Sequence, residues 1–205
     1  KKKNILVEKP AFVSIKEAEN IFHHKNFKNT FFSEGFMYMH HPQISEATKI
    51  IKDGKIGRLI EMKTHFGMNL IYKKNFLGFK TKKIDKNKRI FNKKLGGGVI
   101  FDLGCYTTSI SLLIASLIEN LDISNFKIEN IKTDHLESDV DVSSSAKINF
   151  ENRFHSYITA SFTENIGGHT SILGENGIIN LENSWKSEKN ILRVSGKFNE
   201  EKIYQ

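Results

Sequence analysis

Three side chains in this sequence have the types for proton chemistry at a hydroxyl or carbonyl carbon, Lys9, Asp102 and Tyr106, and the last two also have the spacing. Asp102 and Tyr106 lie in residues 95–106, LGGGVIFDLGCY, four positions apart. If the chain is helical from Val99, that spacing sets a carboxylate and a phenol on one face. The three glycines before them allow a tight turn or a close approach to a bound group. Hydride transfer at a carbinol carbon needs a group that takes or gives the hydroxyl proton. A phenol with its ordinary pKa near ~10 is a poor base at neutral pH, and a neighbouring ammonium favours the phenolate. Lys9 supplies such a charge and can polarise a substrate oxygen. Asp102 can orient Lys9 or a substrate hydroxyl. Taken without Lys9, the same stretch reads better as a loop, an acid favoured by a helix dipole, and a tyrosine half in the core.

The elements around these residues are legible in outline. Ile5-Leu6-Val7 reads as a buried strand ending at Glu8-Lys9-Pro10, because proline cannot continue a central ladder. Lys9 is thereby set at a strand's carboxyl end, where open α/β sheets bind ligands. Ser14-Ile15-Lys16-Glu17 is a capping box, and the helix it starts, with Ala18, Ile21 and Phe22 on one face, is expected to end near Phe27. Thr30-Phe31-Phe32 then reads as a second strand, completing one βαβ unit. Pro42 opens a helix to about Asp53, with Gly54 as its stop and Ile44, Ala47, Ile50 and Ile51 as its apolar stripe.

From Arg58 the period changes to two, which suggests a strand with one covered face. The helix after residue 99 is expected to end near Glu119. Strands follow at 126–131, 142–150, 155–162, 170–173, 177–181 and 191–195, with hairpin turns at Glu151-Asn152 and Glu175-Asn176-Gly177. That second part reads as an antiparallel sheet in an α+β arrangement. Residues 72–94 are dense in lysine, interspersed with Phe76, Phe79 and Phe91, and read as a long loop.

The totals bound the class. With 205 residues, 39% of them hydrophobic and 11% aromatic, the chain is globular rather than disordered. No uninterrupted apolar run reaches the roughly 18 residues of a membrane span, so no membrane is expected. A single cysteine, Cys105, forms no internal disulfide, in keeping with a reducing, cytoplasmic location. The net charge of +8 points to solubility or to anionic partners. The first residue is Lys1 and opens directly into a strand-like run, so the chain reads as a fragment whose beginning is missing.

The ordered motifs Glu8-Lys9-Pro10 after a strand, EGFMY with HPQ (residues 34–43), and GGG with D-L-G-C-Y resemble the glucose–fructose oxidoreductase and inositol dehydrogenase family, often called Gfo/Idh/MocA. The tail SILGENGIINLENSW is most similar to its dihydrodiol dehydrogenase branch. The resemblance implies the last βαβ unit of a Rossmann domain in residues 1–34. It implies a substrate-binding and oligomerisation domain in 35–205, built on an open, mainly antiparallel β-sheet. The fold class is thus α/β plus α+β. It implies NADP or NAD as cofactor, with Glu8, Lys9 and Pro10 beside it. It implies hydride transfer to or from the hydroxyl or carbonyl of a sugar, cyclitol or dihydrodiol, catalysed by Lys9, Tyr106 and Asp102. Tyr38, His40, Asp102 and Tyr106 would bind substrate. Met39 stands where relatives often have an arginine, and His40 is a candidate replacement. The implied assembly is a homo-oligomer, a dimer or larger. The Gly-x-Gly-x-x-Gly fingerprint is absent, so this chain alone is expected to bind NADPH weakly and to be inactive.

Other features carry plainer expectations. His23-His24 and His40-His41 lack partners at ligand spacing, so no metal site is expected. Asp139 and Asp141 read as a solvated strand edge, Cys105 as a small buried hydrophobe and Trp185 as an anchor of the core or an interface. A non-catalytic module of the same fold is an alternative, against which the joint presence of Lys9, Asp102 and Tyr106 argues. Lysines interleaved with phenylalanines in 72–94 admit nucleic acid binding, but no nucleic-acid motif accompanies them. The expected use of that segment is a flap over a phosphorylated or nucleotide-linked sugar.

Overall fold

The computed structural model describes residues 3–24, 27–82, 84–85, 87–137, 139–186, 190–197 and 199–204. Strand β1 (Ile5–Glu8), helix α1 (Ile15–Phe22) and strand β2 (Phe32–Gly35) form a two-stranded parallel sheet with its crossover helix. Ser14 caps α1, its Oγ accepting from the Glu17 N–H at 3.2 Å, while the Glu17 carboxylate reaches back to Val13 N–H at 3.1 Å. The helix stops at Phe22, five residues short of the expected end. The chain doubles back so that Phe27 meets Phe22 edge-on at 5.0 Å, and both join Phe32; Phe12 stacks on Phe32 at 5.7 Å. That turn also delays β2, which pairs from Phe32 rather than Thr30.

Helix α2 (Pro42–Lys52) follows, capped by His41, with its stripe Ile44, Ala47, Ile50 and Ile51 buried and Gly54 at φ 69° beyond its end. Strand β3 (Leu59–Gly67) is the centre of the main sheet. A bulge between Leu59 and Glu61 turns Leu59 inward beside Met62 and leaves Ile60 exposed, which strict alternation did not foresee. Residues 72–94 are not one loop. They hold the hairpin β4 (Tyr72–Lys74) and β5 (Lys80–Lys82), then short helical turns at Arg89–Phe91 and Lys93–Leu95. Ile71 and Phe91 are buried with Val99, Leu103, Val142 and Phe162, and Ile84 and Ile90 pack against them. Lys83 and Lys86 of the basic segment lie outside the described residues.

A π-helical turn (Ile100–Gly104) leads into α3 (Cys105–Ala115). The helical stretch Lys93–Ala115 is long and apolar enough, by length and composition, to cross a membrane, which the count of uninterrupted apolar residues missed. More than half of its most apolar window is buried, as in the core helix of a globular fold. Strands β6 (Phe126–His135), β7 (Asp141–Phe150), β8 (Phe154–Ser161), β9 (Gly167–Gly174), β10 (Gly177–Leu181), β11 (Asn190–Gly196) and β12 (Glu200–Tyr204) complete an eight-stranded sheet in the order β12-β11-β10-β9-β3-β8-β7-β6. The sheet is mainly antiparallel, but β3 pairs with β8 in parallel, so it is mixed rather than purely antiparallel. Glu151 and Asn152 both take positive φ, as a tight hairpin turn requires.

One face of the sheet carries α2 over β11 and α3 over β3 and β8, and between them lies the main core, from Tyr38 and Met62 to Phe150, Phe154 and Trp185. The opposite face mixes charged residues with apolar ones, Leu173 beside Ile178 and Ile191 beside Ile203. Ion pairs Glu129–Lys147, Glu61–Lys63 and Arg193–Glu201 cross it, and His65 stacks on His169 at 5.8 Å.

Candidate active site

The site forms where β1 ends against the first turn of the α3 helical stretch. β1 and β2 run parallel, so Lys9 leaves the carboxyl end of the sheet. The following turn is tied to β2 by the Ala11 N–H, which donates to Glu34 Oε1 at 2.7 Å. The glycines at 96–98 fix the other side. Gly96 is left-handed at φ 67° and ends the preceding turn. A Cβ on Gly97 would lie 2.5 Å from Arg89 O and 2.7 Å from Asn92 O, so only glycine lets the turn at Arg89–Phe91 lie this close. Gly98, at φ 120°, faces the Asp141 carboxylate with no room for a side chain. Asp141 Oδ2 accepts from Ile100 N–H at 2.7 Å. Asp141 is therefore the cap of the helical start and not a solvated edge residue. Asp139, in a positive-φ turn, pairs with Lys93.

Asp102 is the hub. Lys9 Nζ donates to its main-chain O at 2.7 Å and to Oδ1 at 3.3 Å. Arg89 Nη2 donates to the same Oδ1 at 2.6 Å, while Arg89 Nη1 donates to Gly96 O at 3.2 Å. Two cations thus share one carboxylate oxygen. Lys9 Nζ also lies 4.8 Å from the centre of the Tyr106 ring, a cation–π contact. Asp102 and Tyr106, expected together from their spacing, and Lys9, expected beside them from its strand end and from the family resemblance, are brought together. The wide π turn between Asp102 and Tyr106 keeps both on the side facing Lys9; such turns are frequent at functional sites.

Tyr106 is 8% exposed, packed edge-on by Phe36 and Phe66 and flanked by Tyr38 and Trp185 at 5.4–5.9 Å. Its hydroxyl has no hydrogen-bond partner among the described residues. Burial pushes the Tyr106 phenol above its ordinary range, and the charges of Cys105, Asp102 and Glu8 push it the same way. This corrects the expectation of a phenolate favoured by Lys9. The ammonium faces the ring and is already matched by Asp102, so burial decides the outcome and the phenol keeps its proton at neutral pH. The Cys105 thiol, pushed up to about 11 chiefly by burial, is an inert neighbour, as expected of a small packed residue.

The remaining expected residues fall elsewhere. Glu8 is exposed at the end of β1, one residue before Lys9. The Lys9–Pro10 peptide bond is cis. Tyr38 is buried behind Tyr106, its hydroxyl 2.8 Å from Ser109 Oγ on α3; burial drives its pKa strongly upward. His40 lies apart from Lys9 and Asp102, in a cleft of about 230 Å³ with Met37, Tyr38, His41, Pro42 and Lys186. Among the described residues, no group of three or more His, Cys, Asp or Glu could hold a metal ion.

A larger cleft, about 270 Å³, is not lined by Lys9, Asp102 or Tyr106 but shares two residues with the packing of the Tyr106 ring, Phe66 and Trp185. Phe66 and Trp185, stacked at 5.8 Å, form its aromatic wall, and both touch Tyr106. Asn165, Asn183 and Lys186 supply its polar rim. Gly168 lies flat against Trp185, where a Cβ would overlap the indole, and the indole N–H donates to His65 O at 2.9 Å. Sequence reasoning missed Arg89, Asp141 and this wall. Arg89 is one of four arginines among 31 basic residues, the one signal that set it apart from the lysines around it.

Comparisons with known proteins bear on the fold that carries these residues. A family model described as the GFO/IDH/MocA C-terminal domain matches residues 44–180. The trans-1,2-dihydrobenzene-1,2-diol dehydrogenase of Xenopus tropicalis is 23% identical over 197 residues, which are 95% of this chain and 53% of that protein. Its counterpart in Danio rerio is 26% identical over 113 residues, 55% of this chain and 30% of that protein. A 3-ketoreductase from Actinomadura kijaniata, solved with NADP and TDP-benzene, superposes on 98% of this chain and 57% of its own, with a TM-score of 0.76 at 17% identity. An aldose-aldose oxidoreductase from Caulobacter crescentus, complexed with glycerol, gives a TM-score of 0.77 at 15% identity, over 98% and 56% of the two chains. The chain spans about half the length of the Xenopus relative. From early in α2 to the end of β10, across the sheet, the helical stretch and the Asp102–Tyr106 pair, it matches a single domain type, and on that match the chain belongs to the GFO/IDH/MocA family.

Proposed function

We propose that Lys9, Asp102 and Tyr106 are the proton-handling group of an NAD(P)-dependent oxidoreductase acting on the hydroxyl or carbonyl of a sugar, cyclitol or dihydrodiol. The observation that carries this reading is the Lys9 ammonium held between the Asp102 carboxylate and the Tyr106 ring. The dehydrogenase names of the vertebrate relatives and the NADP in the ketoreductase structure support it.

The residues present suit the nicotinamide end of such a cofactor. Lys9 sits at the carboxyl end of a parallel strand, and two of its three N–H groups are spent on Asp102, leaving one to donate. A nicotinamide bound there supplies or accepts the hydride. This chain's own residues handle the proton. In reduction, Tyr106 Oη, kept protonated by burial, donates to the substrate oxygen as negative charge develops there. The remaining Lys9 N–H stabilises that charge. Asp102 keeps the ammonium in place, and Arg89 keeps Asp102 in place. In oxidation the same atoms work in reverse. The Phe66–Trp185 wall offers a flat face to a ring, and Asn165 and Asn183 offer amides to its hydroxyls.

The test is Tyr106→Phe in a form of the protein that turns over its substrate. The ring and its packing stay, so the thermal midpoint should hold while turnover falls by ~10²–10⁴. Lys9→Met should lose a similar factor, and the double variant less than the product, because the two act as a unit. Near-normal turnover in Tyr106→Phe would sink the reading.

A further inference from the structure

The net charge of +8 is not spread over the chain. Ten of the 31 basic residues and one of the 23 acidic residues fall in residues 72–94, so that segment carries +9 and the remainder −1. Like charge at this density repels itself and draws anions. The first half of the segment is the β4–β5 hairpin, with Tyr72 opposite Lys82 and Lys73 opposite Thr81. At its tip Asn75 Oδ1 accepts from the N–H groups of Leu77 and Phe79, at 3.1 and 2.9 Å. Phe76, Leu77 and Phe79 project into solvent there, Phe76 entirely.

Both feet of this arm stand on the site. One leaves β3 at Phe66, Gly67 and Met68, which line the larger cleft. It is pinned by buried Ile71 and by Asn69, whose side chain accepts from Tyr72 N–H at 2.8 Å and donates to Tyr72 O at 2.9 Å. The other foot returns through Arg89, bound to Asp102, and through Phe91, buried with Val99 and Leu103. A positive arm that follows directly on cleft-lining residues at one foot and is bound to Asp102 at the other draws anions toward the side of the molecule that carries Lys186 and the reacting group.

We propose that the substrate carries a phosphate ester or diphosphate away from the reacting carbon, and that the β4–β5 arm binds it, with Phe76 and Phe79 covering the group that the phosphate bears. Calling the ligand a substrate rests on the oxidoreductase reading; the anion site does not. A lipid surface or a polynucleotide would also meet the charge, but neither accounts for feet placed on Asp102 and on the cleft.

The experiment titrates inorganic pyrophosphate into the 205-residue chain by calorimetry at low salt. Three forms are compared: the unaltered chain, Lys73→Glu with Lys82→Glu on the arm, and Lys16→Glu with Lys127→Glu, the same charge change on α1 and β6. Binding should weaken about tenfold or more in the arm variant and hold in the control, and rising salt should weaken it in all. The backbone amide resonances of Met68 and Gly96–Gly98 should shift together with those of the arm. An unchanged urea midpoint guards against misfolding. Equal losses in both variants, or no loss in either, overturn the proposal, as do shifts confined to the hairpin. Phosphatidylserine vesicles or an oligonucleotide that bind only when the arm is intact, while pyrophosphate binds no form, overturn it in favour of a macromolecular partner. Calorimetry needs no turnover, so this failure is separable from a failure of Tyr106→Phe.

Discussion

Lys9 rides on a unit in which no side chain of β1, α1 or β2 is buried, whereas Tyr106 rides on a helix closed over by an eight-stranded sheet. Leu6 is 77% exposed and Ile15 79%, although both are apolar. Four phenylalanine rings, Phe12, Phe22, Phe27 and Phe32, hold the smaller unit to itself. At the site, Lys9 crosses from it to the rest through the two bonds to Asp102 and the contact with the Tyr106 ring. The difference teaches that a reacting group need not be placed by a core. Lys9 is positioned by the groups it would work with, so chemistry and docking of the smaller unit share the same contacts.

The comparison can be broken most sharply by truncating one side chain in each region. Phe154→Ala, in the sheet core, should cost about 3–5 kcal/mol. Leu6→Ala should stay within about 0.5 kcal/mol. Urea unfolding of both checks this, and equal losses would erase the contrast. Gly98→Ala should cost about 1–3 kcal/mol, because φ 120° strains any side chain and the Asp141 carboxylate occupies its space. Asp102→Asn should cost about 1–2 kcal/mol through the weakened bonds to Lys9 and Arg89. Its signature is local. Hydrogen exchange should quicken in β1 and β2 and hold in β7 and β8; a uniform change would mean that the two units are joined by more than the site.

Tyr38→Phe removes a single hydrogen bond at neutral pH, and its pH dependence is specific to the larger unit. The fold favours the neutral Tyr38 phenol, so its pKa is raised above the ordinary 10.0. The unfolded chain therefore loses that proton first. Stability is full below pH about 10 and falls as pH rises beyond it. Tyr38→Phe should flatten that alkaline fall in urea midpoints measured across the range, while removing the bond to Ser109 at every pH.

What the sequence made legible follows the range of the interactions. Asp102 and Tyr106 were found because their relation is local, four residues on one helix. The stripe of α2 and the cap at Ser14 were found for the same reason. Arg89 was missed because its partner Asp102 lies across a fold of the chain, and a charge-dense stretch offers many cations to choose from. Asp141 was misread because its alternation with Asp139 imitates an exposed strand edge, and only the close approach of Gly98 reveals its work as a cap. The end of α1 was misplaced because Phe27 continues the apolar pattern in sequence but folds back to meet Phe22. The parallel pairing of β3 with β8 joins strands far apart in the chain, and no local pattern announces it.

The Asp141 carboxylate both satisfies the Ile100 N–H and fills the space a side chain on Gly98 would need. Neither position is therefore free to drift alone. A substitution at 98 that adds a side chain displaces the carboxylate and strips the helix start of its acceptor. A substitution at 141 that removes the carboxylate takes away the steric reason for glycine at 98, though not the one set by φ. Through successive generations the two sites should change as a linked pair, with the acid rarely surviving the loss of the glycine. The same coupling gives an engineer a simple constraint: a side chain at 98 and the acid at 141 must be redesigned together.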